Sequence, residues 1–170
     1  MDRTQPRVRP RTDDDVEACV RALAQVHRRD GYPVNWPARP GDWLTQASGL
    51  GGWVADLDGR VAGHVSLSRS TAGDLAPVLW GERNGTGPQQ AAVVGRLFVA
   101  PQARGHGIGA LLMGRAVREA RHRGLHPVLD VVASDTAAAA LYERLGWTRL
   151  ATVEQRWSVS QVVTVHCYSA

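Results

Sequence analysis

Residues 101–110 read PQARGHGIGA, with Gly105, Gly107 and Gly109 at alternate positions. The stretch separates two periodic patterns. Before it, AAVVGRLFV (91–99) is a continuous apolar run of strand length. After it, Ile108, Leu111, Leu112, Ala116 and Ala120 share one face of a helix expected from Ile108 to about Arg123, stopped by Gly124. A helix start leaves several N–H groups unpaired and carries about half a positive charge. That end is a natural seat for a phosphate. Glycines have no Cβ, so an anion can touch the backbone from Arg104 to Ala110.

Two phosphate loops are excluded. A dinucleotide fingerprint needs G-x-G-x-x-G directly after the strand and an acid about 20 residues on. Here the spacing is G-x-G-x-G, and residues intervene after Val99. A P-loop needs lysine, and all 20 basic residues are arginine. The same absence excludes Schiff-base chemistry through lysine.

Outward from the loop, the chain alternates between helix and strand signals. A short strand is expected from about Val8. TDDDVEACVRALAQVHRRDG reads as a helix capped by Thr12 or Asp13 and ended by Gly31. GYPVNWPARPGDW is an irregular loop, with a helical turn through Trp43 to Ala47. GGWVADLDGRVAGHVSLS reads as a hairpin, strands near 52–57 and 60–68, turning at Asp58-Gly59. TAGDLAPVLW suggests a short helix, and GERNGTGPQQ a surface loop. HPVLDVVA is a strand, DTAAAALYERLG a capped helix, and WTRLATVEQRW and QVVTVHCYS two further strands. The expected order is β-α-(α)-β-β-(loop)-β-α-β-α-β-β, an α/β fold with one β-α-β unit among antiparallel pieces.

With 170 residues, one domain spanning 1–170 is expected. There is no apolar run of membrane length and no apolar signal core near the N-terminus, so a cytoplasmic protein without a membrane partner is expected. Net charge is +4, which suits a solvated basic surface or attraction of an anionic ligand. No aromatic-basic motif accompanies it, so no nucleic acid is expected. Cys19 falls with Val16, Val20 and Leu23 at helical spacing and reads as a buried small hydrophobe. Neither Cys19 nor Cys167 has a partner at metal-ligand spacing, and no metal is expected.

Gln102-Ala-Arg-Gly105-His-Gly107 resembles the Q/R-x-x-G-x-G/A signature of the GNAT (GCN5-related N-acetyltransferase) family, and Leu97–Pro101 before it resembles that family's fourth strand. Asp135-Thr-Ala-Ala138-Ala-Ala-Leu141-Tyr142, followed by Leu-Gly146-Trp147, resembles its second motif. The two motifs stand in the family's order and separation, over about 93–150.

The resemblance implies a mixed, mostly antiparallel sheet of six to seven strands flanked by about four helices. It implies acetyl-CoA as acyl donor and an amine as acceptor, most simply a small-molecule amine, with a peptide or protein N-terminus as the alternative. A homodimer is compatible with it. Backbone amides of Arg104, Gly105, His106, Gly107, Ile108, Gly109 and Ala110 would hold the CoA pyrophosphate. Backbone groups of Leu97, Phe98 and Val99 would pair with the pantetheine arm, as a peptide adds to a strand edge. Asp135 stands where the family has asparagine. It can cap the following helix equally well, but its charge would repel a nearby phosphate.

Acyl transfer from a thioester needs an amine free of its extra proton, a donor to the carbonyl oxygen, and a donor to the leaving thiolate. By resemblance, Tyr142 is the acid that protonates the thiolate. A backbone N–H near Phe98 or Val99 would serve the carbonyl. For the base, the family's fourth-strand acid is missing, since the chain reads Val94-Gly95-Arg96 there. Asp130, mid-strand in PVLDVV, is then the candidate, because a carboxylate covered on both faces must be paired or used. Burial would raise its pKa toward a base's range. A structural aspartate paired with an arginine explains the position equally. His64 and Glu82 are further candidates. Tyr32, Trp36, Trp43 and the last hairpin are expected near the acceptor. Non-catalytic alternatives are an acyl-CoA-binding regulatory domain and, from the arginine excess alone, a nucleic-acid-linked role.

Overall fold

A computed structural model describes residues 4–170. It contains seven strands, hydrogen-bonded in the order β1-β2-β3-β4-β5-β7-β6, and five α-helices. The strands are β1 (Arg7–Pro10), β2 (Gly51–Leu57), β3 (Arg60–Arg69), β4 (Ala91–Val99), β5 (His126–Val132), β6 (Thr148–Ser158) and β7 (Gln161–Ser169). The helices are α1 (Val16–Asp30), α2 (Pro40–Gln46), α3 (Ala76–Asn84), α4 (Ile108–His122) and α5 (Thr136–Arg144). The pairs β1–β2, β2–β3, β5–β7 and β6–β7 are antiparallel, and β4–β5 is parallel. The α/β, mostly antiparallel architecture expected from the resemblance is the one observed.

The chain forms two compact units. One comprises the chain up to Ser68 together with Val94–Arg118, the other Arg69–Val93 together with Glu119–Ala170. In the first, Cys19, Leu23, Leu44, Val54, Val65 and Leu67 are fully buried. The acids before α1 have a definite task. Arg9 grips Asp15 with two hydrogen bonds of 2.7 and 2.9 Å, and the Thr12 amide donates to the same carboxylate at 2.8 Å. The bond from Arg9 holds the Asp15 carboxyl well below the usual carboxylate range. Gly31 ends α1 in the left-handed region, at φ +74°.

In the second unit, Ala76, Ala91, Val128, Leu150, Val165 and Cys167 form a buried cluster, with Leu79 and Trp80 of α3 packed against it. The β4–β5 ladder runs from Ala91↔His126 to Val93↔Val128.

Two expectations need correction. The segment expected as a short helix and then a loop is one helix reaching Asn84, so GERN belongs to α3 and the loop begins at Gly85 (φ +66°). On α4, Ile108, Leu112, Ala116 and Ala120 are buried as expected, but Leu111 is 45% exposed and Met113 is buried in its stead. Leu111 and Met113 flank Leu112 by about 100° on opposite sides, and the buried face turns toward Met113.

Candidate active site

The glycine loop sits where the sequence places it. A turn at Pro101–Ala103 follows β4, and α4 begins at Ile108. Gly105 and Gly107 adopt φ +84° and +71°, conformations in which a side chain is strained. A Cβ added at either would meet nothing within 4 Å. Packing therefore does not demand glycine here; the backbone conformation does, and the space above it is open. The first main-chain bond of the helix is Leu111 N–H to Gly107 O, 3.2 Å. Among the described residues, the successive N–H groups from Gly105 to Ala110 make no hydrogen bond within the protein. They are the unpaired donors of a helix start, gathered on one short stretch.

The loop is tied down beside this stretch. Arg104 donates to Asp30 Oδ2 at 2.5 Å and reaches the Val99 carbonyl at 3.4 Å. His106 is exposed and its Nδ1 donates to the Ala103 carbonyl at 3.0 Å. Phe98 is buried, while Leu97 and Val99 are half-buried.

The sequence model of the acetyltransferase (GNAT) family matches residues 20–147. The chain belongs to the GNAT family. An uncharacterized N-acetyltransferase of Methanocaldococcus jannaschii is 26% identical over 145 residues, which is 82% of this chain and 59% of that relative, so the chain spans about three-fifths of its length. Among solved structures, a Salmonella typhimurium protein classed as an acetyltransferase and solved with its cofactor acetyl-CoA matches with a TM-score of 0.70 at 20% identity, covering 97% of this chain and 92% of that one. A ribosomal-protein-alanine N-acetyltransferase from Brucella melitensis matches with a TM-score of 0.71 at 21% identity, covering 96% and 98%. These two likenesses are of fold.

The remaining GNAT motif residues lie in the second unit. Asp135 caps α5, its side chain accepting from the Ala138 amide at 3.1 Å. Tyr142 is buried at 6% exposure on α5. Its ring lies 6.1 Å from Trp147 and edge-on to Tyr168 at 5.8 Å. Asp130 is held in a way the sequence does not disclose. Its two oxygens accept from the main-chain N–H groups of Leu75 and Ala76, at 2.8 and 2.9 Å, at the start of α3. Its partners are thus amides and the Cys167 thiol, where the sequence reading weighed an arginine. Burial raises its pKa above 3.8, against the opposing pull of these donors. Burial, then the Asp130 charge, pushes the Cys167 thiol up.

In the first unit, His64 is fully buried on β3. Arg11 Nη1 lies 2.9 Å from its Nε2, and its Nδ1 lies 2.9 Å from the Arg96 carbonyl. A guanidinium only donates, so Nε2 accepts and Nδ1 carries the hydrogen. Burial, reinforced by the charges of Arg11 and Arg96, lowers its pKa to about 4. Both ring nitrogens are engaged, which removes His64 as a base. Glu82 is exposed on α3.

Sequence reading passed over Arg96 except to note that it is no acid. Its backbone is left-handed at φ +52°, and its guanidinium carbon stands 3.7 Å from the centre of the Trp43 ring. Tyr32 meets the same indole edge-on at 6.3 Å. Trp36 lies apart from this group, against His27 at 5.2 Å. An arginine inside an apolar strand run was the available signal, since charged residues are seldom covered without a partner or a use.

Proposed function

We propose that this chain, as a single domain over 1–170, transfers the acetyl group of acetyl-CoA to an amine, in the first instance a small-molecule amine. The carrying observation is the row of unpaired N–H groups from Gly105 to Ala110 at the start of α4, in a member of the GNAT family. Such a row binds phosphate oxygens through charge-assisted hydrogen bonds. The open space above Gly105 and Gly107 fits a pyrophosphate lying against the backbone. Leu97, Phe98 and Val99 supply main-chain groups to the pantetheine arm. Asp135 is a weaker contact, because its carboxylate is engaged as a helix cap and shares the phosphate's sign.

In the reaction, the amine lone pair forms the new C–N bond and the C–S bond breaks. Tyr142 gives its phenolic proton to the departing thiolate and is reprotonated by the proton the amine nitrogen sheds, and a main-chain N–H near Phe98 or Val99 bonds the carbonyl oxygen as it gains charge. Tyr142 suits this role because a phenol is protonated at neutral pH. Asp130 serves first as the cap of α3. Its raised pKa supports a second reading, in which it takes the amine's proton and one α3 amide bond loosens as it does so.

Thermal unfolding with acetyl-CoA, CoA, NADH and ATP tests the proposal, since a ligand that binds only the native state raises the midpoint. Acetyl-CoA and CoA are expected to raise it and NADH is not. CoA release with a panel of amines then tests transfer. No shift with any CoA species removes the glycine loop from the cofactor site. A shift without turnover makes the chain an acyl-CoA-binding domain.

A further inference from the structure

We propose that β6 is the contact edge of a homodimer, in which a second copy of this chain lays its own β6 antiparallel to the first, with Gln155 opposite Gln155 on the two-fold axis. The inference stands apart from the acetyl-transfer reading and concerns a surface of the second unit.

β6 is the last strand of the sheet, so its side turned away from β7 has no strand beside it. It is also long, from Thr148 to Ser158, and pairs with β7 throughout. β5 accompanies β7 only from Ser169 to Val165, and one further bond joins the Ala133 amide to the Thr164 carbonyl at 2.8 Å. Past that point β6 and β7 run on as a two-stranded arm, closed by Ser158 opposite Gln161. A two-stranded hairpin is marginal by itself, and further strands stabilise it. A long open edge is a template for another strand.

The arm exposes apolar side chains. Trp157 is 41% exposed, Val162 50%, and Val159, in the turn, 96%. Its base is fixed beforehand. Gln155 Nε2 donates to the Gly73 carbonyl at 3.0 Å, and the Trp157 indole N–H donates to Gln155 Oε1 at 2.9 Å. An edge already ordered loses less freedom on association.

Charge complementarity selects both the partner and the register. Side chains alternate between faces, and residues directly opposite each other share a face. A strand paired antiparallel with its own copy about a two-fold axis therefore centres on a residue. Register shifts between Arg149 and Ala151 and between Arg156 and Ser158 bracket a regular run from Ala151 to Arg156. Centring on Glu154 sets two glutamates against each other, and centring on Arg156 two arginines. Centring on Thr152 or Val153 pairs neither charge with its opposite. Centring on Gln155 sets Glu154 of each copy opposite Arg156 of the other, two cross-strand ion pairs on one face, and brings Trp157 beside Val153.

Glu154 and Arg156 are free for this. Both are exposed, and among the described residues neither stands in an ion pair; Arg156 Nη1 donates to the Val159 carbonyl at 3.0 Å. Opposite charges directly across strands attract and like charges repel. A row of one sign would hold a second copy off, whereas one acid and one base two residues apart fit it.

Sedimentation equilibrium of the full chain, from about 1 to about 500 μM, tests the proposal. Pairing along one edge makes a small interface, so a dimer of micromolar order is expected. Glu154→Arg and Arg156→Glu are each expected to weaken it by about 10-fold or more, because either change turns both ion pairs into like-charge contacts. Mixing the two single variants is expected to restore association as a heterodimer, since every acid then faces a base again. Both positions are exposed, so both variants should fold. Should one fail to, salt decides on the unsubstituted protein: raising it from about 0.05 to about 1 M is expected to weaken the dimer several-fold. A chain that stays monomeric throughout overturns the inference. So does a dimer that both reversals leave intact, a mixture that associates no better than its components, or a dimer indifferent to salt.

Discussion

Removing the Asp130 carboxylate should cost stability more than chemistry. Asp130→Ala strips the acceptor from two main-chain amides, Leu75 and Ala76, at the start of α3. Ala76 is fully buried, so water does not replace the lost partner. Each bond to a charged acceptor is worth about 1.5–3 kcal/mol, and a helix cap about 1 kcal/mol. Against this stands the desolvation of the carboxylate, which the raised pKa shows to outweigh its donors' effect on ionisation. The net loss is then about 3 kcal/mol, or about 6–12 °C in Tm for a chain of this size. Asp130→Asn keeps one acceptor oxygen and should lose about half as much.

A pH series adds a sign to this prediction. A carboxyl whose folded pKa is raised stabilises the fold below its unfolded pKa, and that contribution is lost as pH rises through the folded value. The deficit of Asp130→Asn should accordingly be larger near pH 4 than at pH 7. Thermal and urea unfolding across that range measure it, with acetylation rates taken where every protein is folded. If both variants unfold within about 1 °C of the parent, the capping account is refuted. If Asp130→Asn folds well but loses the acidic limb of its pH–rate profile, Asp130 is the base.

Gly107→Asp should cost about 1 kcal/mol of folding through its positive φ, since a Cβ there meets nothing within 4 Å. Its carboxylate should weaken acetyl-CoA binding by ~100-fold or more, measured by calorimetry; retained affinity would remove the loop from the cofactor site. Tyr142→Phe should lower kcat by about 100-fold while acetyl-CoA affinity holds, and an unchanged kcat would make Tyr142 a packing residue only. His64, with its folded pKa lowered to about 4, binds a proton more readily when unfolded. Stability should therefore fall as pH drops from 6.5 toward 4, by about 3 kcal/mol from this group. A His64→Asn variant should lack that component, and an unchanged acid transition in it would count against a neutral His64.

What the sequence disclosed and what it withheld divide by distance along the chain. The glycine loop, the helix behind it and the Asp58-Gly59 turn are set by adjacent residues, and each appears where its local signal stands. The full extent of α3 was hidden. Asp74 and Pro77 mark its start, but its first amides are capped by Asp130, 55 and 54 residues away. Gly81 and Asn84 then argue for a loop by propensity. Yet a Cβ at Gly81 would stand 2.7 Å from the Thr86 carbonyl, so the helix end requires glycine at that point. Leu111 was misplaced for a related reason: a helical period shows an apolar stripe but not how wide a part of it is covered.

The same division separates the glycine loop from the cluster around Arg96. Acetyl-CoA would be met by main-chain groups that any sequence with these glycines presents, so the donor is readable from a short motif. Arg96, Trp43, His64 and Arg11 come from β4, α2, β3 and the segment after β1, and meet only in the folded chain. No pair among them has a recognisable spacing. Their arrangement also gives the all-arginine composition a physical use at one position. A lysine at 96 would carry the same charge, but its ammonium would lack the planar guanidinium that packs on Trp43. A total charge of +4 says nothing of this; a single guanidinium held on an indole does.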